Sequence, residues 1–127
     1  MIGVIFLVFG GVLGGVARYF LSGVIARRVG ETFPWGTLFI NVSGAFLIGI
    51  IGDLAEDRGS LFADPDLWLL AVTGFLGCYT TVSSFSLQTL SLARDGETGP
   101  ALGYVVISVA FSLAAAAAGF ALVDLMK

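Results

Sequence analysis

Four long apolar runs, separated by short polar stretches, organise this chain. The first extends roughly from Gly3 to Ala26 and is interrupted only by Arg18. The second extends roughly from Trp35 to Gly52 and holds Asn41 and Ser43. The third covers roughly Leu67 to Ala93, and the fourth about Ala101 to Leu125. Each has the length of a bilayer-crossing helix, about 20 residues. Between the second and third, "DLAEDRGSLFADPD" reads as a surface loop with turn chemistry at Asp64-Pro65-Asp66. "RDGETGP" makes a further loop before the fourth run. The pattern predicts an all-α integral membrane protein, with residues 1–127 forming one four-helix domain.

Composition points the same way. Of 127 residues, 57% are hydrophobic and 12% charged, and the mean hydropathy is +1.01. A soluble domain of this size has too much surface to cover with so few charges. The absence of histidine excludes imidazole ligation of metal or haem. One cysteine, Cys78, excludes an intrachain disulfide. Six basic residues scattered among nine acidic ones do not make a nucleic-acid surface. The first run lacks a basic leader and an A-x-A-type site, so it reads as a retained span.

Loop charges bias the topology only weakly. Arg58 and Lys127 fall on one side, Arg27, Arg28 and Arg94 on the other, with Arg18 deeper. Such a chain can insert both ways and pair antiparallel, or take one orientation set by Arg27 and Arg28.

Polar residues inside the spans mark where chemistry can occur. Asn41, mid-span in "GTLFINVSG", is costly to leave unpaired in hydrocarbon. It serves either as an interhelical hydrogen-bonding link or as a donor facing a polar path. Tyr104, Ser108 and Ser112 recur every four residues, so their hydroxyls share one helix face. That stripe is a packed polar seam or the wall of a wet path. In "GFLGCYTTVSSFS", Gly74, Gly77, Thr80, Thr81, Ser83 and Ser84 are too many consecutive small or hydroxylated positions for one face. They imply a helix broken at membrane depth, with an intact helix and a small-residue seam as the alternative. Carbonyls freed at a break can coordinate a small cation, while the following amides favour anions. Phe85 follows at once, and the positive edge of its ring can face an anion.

No Asp, Glu or His lies centrally in any span, which disfavours proton-coupled transport. Acidic rings expected of a cation channel are also missing. Neutral donors plus Arg18 favour an anion.

These residues resemble the Fluc (CrcB) family of small fluoride channels along essentially the whole chain. "GGVARY" resembles the family's glycine-rich first span ending in arginine, and "WGTLFINVSG" its G-T-L-x-x-N-x-x-G signature. "TGFLGCYTTVSSFS" resembles its T-G-F-x-G-G-x-T-T-F-S-T-F-S signature, and the fourth span carries the tyrosine-serine-serine stripe. The resemblance implies a dual-topology antiparallel homodimer in a bacterial membrane, each subunit having four transmembrane helices with the third broken. It implies passive export of toxic fluoride through two pathways flanking a central sodium ion, and no enzymatic activity. The sodium would be held by backbone carbonyls at Gly77 and Thr80. Asn41, Phe85, Tyr104, Ser108 and Ser112 would line the anion path, beside Thr81, Val82, Ser83 and Ser84, and Arg18 would attract the anion from an aqueous vestibule.

Three departures stand out. Val82 replaces the first phenylalanine of the family's pair, removing one aromatic edge. Gln88 stands where glutamate is common and keeps hydrogen-bonding capacity without charge. Cys78-Tyr79 replaces glycine-leucine and adds bulk beside the break. Two other readings compete: a proton-driven dual-topology exporter, which would need a central carboxylate in the first span, and a non-transporting membrane subunit, which gives the break no role.

Overall fold

The computed structural model describes residues 1–127 and is helical throughout, without strands. Its elements are α1 (Ile2–Val29), α2 (Trp35–Glu56), a single 3-10 turn (Leu61–Ala63), α3 (Pro65–Trp68), a π-helical stretch (Leu69–Leu76), α4 (Gly77–Tyr79), α5 (Val82–Arg94) and α6 (Thr98–Asp124). Together they form four spans long and apolar enough to cross a membrane, the third being Pro65–Arg94.

Local chemistry explains the ends of these elements. Gly30 closes α1 at φ 93° and Gly96 turns the chain after α5 at φ 81°, a region that glycine enters without a Cβ penalty. The Asp64-Pro65-Asp66 turn is the start of the third span: the Asp64 carboxylate accepts from the Asp66 and Leu67 amides at 2.9 and 3.1 Å. Pro65 occupies the first helical position, where its missing N–H costs nothing.

Only 18 of 127 residues are buried, and large apolar side chains along α1 and α6 point outward. With no hydrophobic force between helices in lipid, close packing of small residues holds such a bundle together. α2 packs most extensively on α6, and α1 on the π-helical stretch. A methyl at Gly49 would overlap the Ala116 carbonyl, and one at Gly119 would overlap the Phe46 carbonyl, so α2 and α6 approach through reciprocal glycines. Gly10 and Gly14, one turn apart on α1, meet the carbonyls of Leu70 and Phe75 in the same way.

The loop expected after Gly52 is corrected here. α2 continues to Glu56 and carries Asp53 into the interior, where it is 1% exposed. A carboxylate at the end of a helix opposes the dipole and loses its hydration. Lys127 compensates, its ammonium lying 2.8 Å from Asp53 Oδ2 and donating to the Asp53 carbonyl at 3.3 Å.

Two predictions follow from this packing. Gly49→Ala should destabilise the protein by about 1–3 kcal/mol through overpacking. Gly52→Ala, whose Cβ meets nothing within 4 Å, should be neutral or slightly stabilising; thermal unfolding in detergent measures both. The second concerns pH. The hydrogen bond to Asp53, aided by the charges of Asp53, Glu56 and Asp124 and opposed by burial, raises the Lys127 pKa above its ordinary value. A raised lysine pKa contributes stability fully below the unfolded value and loses it as pH rises through the folded one. Lys127→Met should therefore lower the melting temperature at neutral pH, and the difference should close in strong alkali.

Candidate functional site

The third span stops at Thr80 and Thr81, both extended, at φ −80°, ψ 160° and φ −153°, ψ 118°. A break in hydrocarbon leaves backbone groups without partners, each costing several kcal/mol unless satisfied. Asn41 of α2 meets this need. Its side-chain oxygen accepts from the Thr81 amide at 2.8 Å and its nitrogen donates to the Thr81 carbonyl at 2.9 Å. Thr81 in turn caps α5, its hydroxyl accepting from the Ser84 amide at 3.2 Å. From α1, Arg18 donates to the Thr80 carbonyl at 3.4 Å. Gly44 clears the space, since a methyl there would overlap the Thr80 side chain. The Thr80 amide returns to Leu76, and no hydrogen bond outside the helices ends on the carbonyls of Gly77, Cys78 or Tyr79.

Three recesses that share lining residues surround the break. The outermost, about 660 Å³, lies between the α1–α2 connection and the end of α5, and Glu31, Gln88, Asp95 and Glu97 line it. Ser22, Thr37 and Ser84 line both it and a second recess of about 290 Å³ that contains Arg18 and Ser83. Thr81 lines both that recess and a third of about 260 Å³, formed by Asn41, Val82, Phe85, Ser108 and Ser112 among others. Hydroxyls thus mark each junction. Within the third, the Ser108 hydroxyl is buried and has no hydrogen-bond partner. Buried polar groups are nearly always paired, so an orphan donor against a cavity is a place for a ligand or water.

The donor set is neutral apart from one guanidinium, and no group of three or more His, Cys, Asp or Glu side chains converges to hold a metal. The backbone carbonyls at the break are oxygen ligands of the kind a hard cation takes.

Comparison with known proteins gives the family. Residues 5–120 match the family described as CrcB-like protein, Camphor Resistance (CrcB). The chain belongs to the CrcB-like family. It is 69% identical over 122 residues to the "Fluoride-specific ion channel FluC 2" of Bradyrhizobium diazoefficiens, covering 96% of this chain and 89% of the relative. It is 61% identical over 119 residues to the protein of the same name in Rhodopseudomonas palustris, covering 94% and 91%. A "Fluoride-specific ion channel FluC" from Opitutus terrae is 48% identical over 111 residues, covering 87% and 84%. The chain is accordingly a multi-pass protein of a bacterial membrane.

Within this CrcB-like fold, the sequence-predicted residues fall into two neighbourhoods. Asn41, Phe85, Ser108 and Ser112 share the innermost groove, with Val82 at its rim and 76% exposed. Arg18, Ser83 and Ser84 lie in the adjoining recess. Tyr104 is fully buried between the rings of Phe33 and Phe85, at 5.4 and 5.2 Å. Its hydroxyl donates to Gln88 Oε1 at 3.0 Å, the hydrogen-bonding capacity kept by glutamine. Asn41 is the interhelical link first, because two of its groups are engaged with Thr81. The bulk of Tyr79 turns inward rather than lying on the carbonyl side, and Cys78 is exposed. Thr37 and Ser22 were not anticipated. Their spacing carried the signal, since Thr37 precedes Asn41 by one helical turn and Ser22 follows Arg18 by one.

Asn41→Ala should orphan the Thr81 amide and carbonyl together. At about 1–3 kcal/mol for each unsatisfied group, this loss should far exceed that of Ser43→Ala in thermal unfolding.

Proposed function

We propose that two copies of this chain pair antiparallel as a passive, fluoride-selective channel that lets toxic fluoride leave the cytoplasm. Two pathways flank a central sodium ion. The observation that carries the reading is the buried, unpartnered hydroxyl of Ser108, a residue that lines a groove with Asn41, Ser112 and Phe85. The relatives named fluoride-specific ion channels support the choice of anion.

Fluoride is small and strongly hydrated, so it enters a narrow path only where donors replace its water. Arg18 draws the anion inward from the wide vestibule. The hydroxyls of Ser22, Thr37 and Ser84 accompany it past the first junction, and Thr81 stands at the second. Ser108 and Ser112 then donate to it, and Asn41 has one amide hydrogen left after both bonds to Thr81. Phe85 borders the groove and imposes no hydration of its own. Larger chloride loses in such a bore because its water is shed without equally close donors.

Pairing of two copies is supported by what the single chain leaves outward. Thr73, Gly77, Cys78, Val82 and Ser83 are exposed on the broken span, beside carbonyls that take no backbone donor. Lipid offers the Thr73 hydroxyl and these carbonyls no partner, whereas a second copy can. The weak loop-charge bias permits the antiparallel arrangement. The free carbonyl of Gly77 and the lightly engaged carbonyl of Thr80 fit a hard cation such as sodium, which takes oxygen ligands and needs more than one chain supplies. Bound there, sodium supplies a fixed positive charge between the two pathways.

The test is anion efflux from liposomes holding the purified protein. Fluoride should leave rapidly and chloride negligibly. Ser108→Ala should slow fluoride about tenfold, the loss of roughly 1.4 kcal/mol of donation to an anion. Comparable chloride efflux, or wild-type flux in Ser108→Ala, would overturn the selective pathway. Folded protein that releases no anion would make this a non-transporting membrane subunit.

A further inference from the structure

The helical turn before the break is only Gly77–Tyr79, set between a π-helical stretch and two extended residues. Its upstream end is bonded into the preceding winding, the Gly77 amide donating to Val72 and Gly74 and the Thr80 amide to Leu76. Its downstream end stops at two extended residues and has no continuing helix to fix its rotation. The π-helical winding upstream adds freedom, because rewinding it to an α-helix would rotate everything that follows. Yet the carbonyls of this turn are the groups whose direction matters for a cation.

Tyr79 is the side chain of the turn that reaches the core. It is 4% exposed and packs with Ile40 and Leu76. Its ring stacks on Phe75 with centroids 5.7 Å apart and planes 11° from parallel. Its phenol oxygen lies 2.8 Å from Ser43 Oγ. Ser43 Oγ also lies 3.1 Å from the Ile40 carbonyl, to which it donates. With Tyr79 as the donor, the single proton of Ser43 is free for that carbonyl, so both contacts are satisfied at once. Gly44, beside Ser43, lies against the ring, close enough that a Cβ there would stand in ordinary contact with Tyr79 Cδ1 at 3.4 Å.

We propose that Tyr79 is a positioning residue for the cation: its hydrogen bond to Ser43 locks the turn so that the Gly77 and Thr80 carbonyls stay aimed together. This rests on the sodium site proposed above. Asn41 holds the far side of the break at Thr81, and Tyr79 holds the near side. Both anchors stand on α2, two residues apart in sequence, so the break is held on each flank by one rigid helix. Tyrosine and serine thus fix in this chain what a leucine would leave to packing alone.

The experiment uses Tyr79→Phe, which keeps the ring and its stacking, together with Ser43→Ala and the double variant. Thermal unfolding of the purified oligomer is followed across a sodium series, with fluoride efflux measured on the same samples. Ligand-linked stabilisation reports sodium affinity independently of flux. The sodium concentration giving half-maximal stabilisation should rise about threefold to tenfold in Tyr79→Phe, or about 0.6–1.4 kcal/mol. Ser43→Ala should match it and the double variant should add little, because one bond is lost in all three. At saturating sodium, efflux should return to wild type. An unchanged sodium midpoint, or a melting temperature lowered equally with and without sodium, would overturn the positioning role and leave the channel reading intact. Wild-type protein that conducts fluoride but ignores sodium would remove both the site and this role. Wild-type protein that responds to sodium but does not conduct would sink the channel reading alone.

Discussion

The paired hydrogen bonds between Asn41 and Thr81 allow a helix to stop in the middle of a membrane. Without them, an amide and a carbonyl would face hydrocarbon, and the chain would do better by continuing as helix. Once the break is held, other features become possible. Thr81 caps the second half of the span, the carbonyls before it are released from helical bonding, and Ser83 and Ser84 of the next turn line the Arg18 recess. A single amide side chain in "LFIN" therefore holds the far flank of the break, from which the second half of the span starts.

That bond requires α2 to lie close to the third span, and close approach is what the glycines provide. Gly44 admits the Thr80 side chain, while Gly36 meets the Ser22 backbone. On the opposite flank, Gly10 and Gly14 let α1 accept the carbonyls of a π-helical segment whose wider winding would clash with a bulkier helix. In lipid these contacts are dispersion and weak Cα–H···O attraction, since burial from water contributes little between spans. The same interior that gives up apolar burial gains a backbone-lined crossing point, which a leucine-packed bundle could not supply.

Much of this was legible in the chain. Run length located four spans, and the density of hydroxyls from Thr80 to Ser84 marked the break, because no helix face could have hidden them all. The four-residue spacing of Tyr104, Ser108 and Ser112 placed three polar groups on one face, and the two serines do share a groove. Other features were hidden. The charge of Asp53 suggested a loop, yet a helix end can bury a carboxylate when a lysine from elsewhere reaches it. The π-helical winding has no composition signature of its own and depends on what α1 offers opposite. The inward direction of Tyr79 was equally illegible: beside a break, which way a side chain points is decided by the neighbouring helix, here through Ser43.

The charges of the site are graded by depth. Glu31, Asp95 and Glu97 line the wide outer recess, where water screens them, and a charge at 4 Å there is worth about 1 kcal/mol. Arg18 stands in the narrower recess behind them, where the dielectric is lower and the same distance counts for several times more. An anion arriving from bulk meets a shallow repulsion and then a stronger attraction. Beyond Arg18 the donors are neutral, so nothing in the inner groove holds the anion with a full charge. Rapid conduction needs sites that are favourable to enter and weak enough to leave. Hydroxyls and one amide meet that requirement better than a second arginine would, because a fully charged partner in hydrocarbon would bind the ion too tightly to release it.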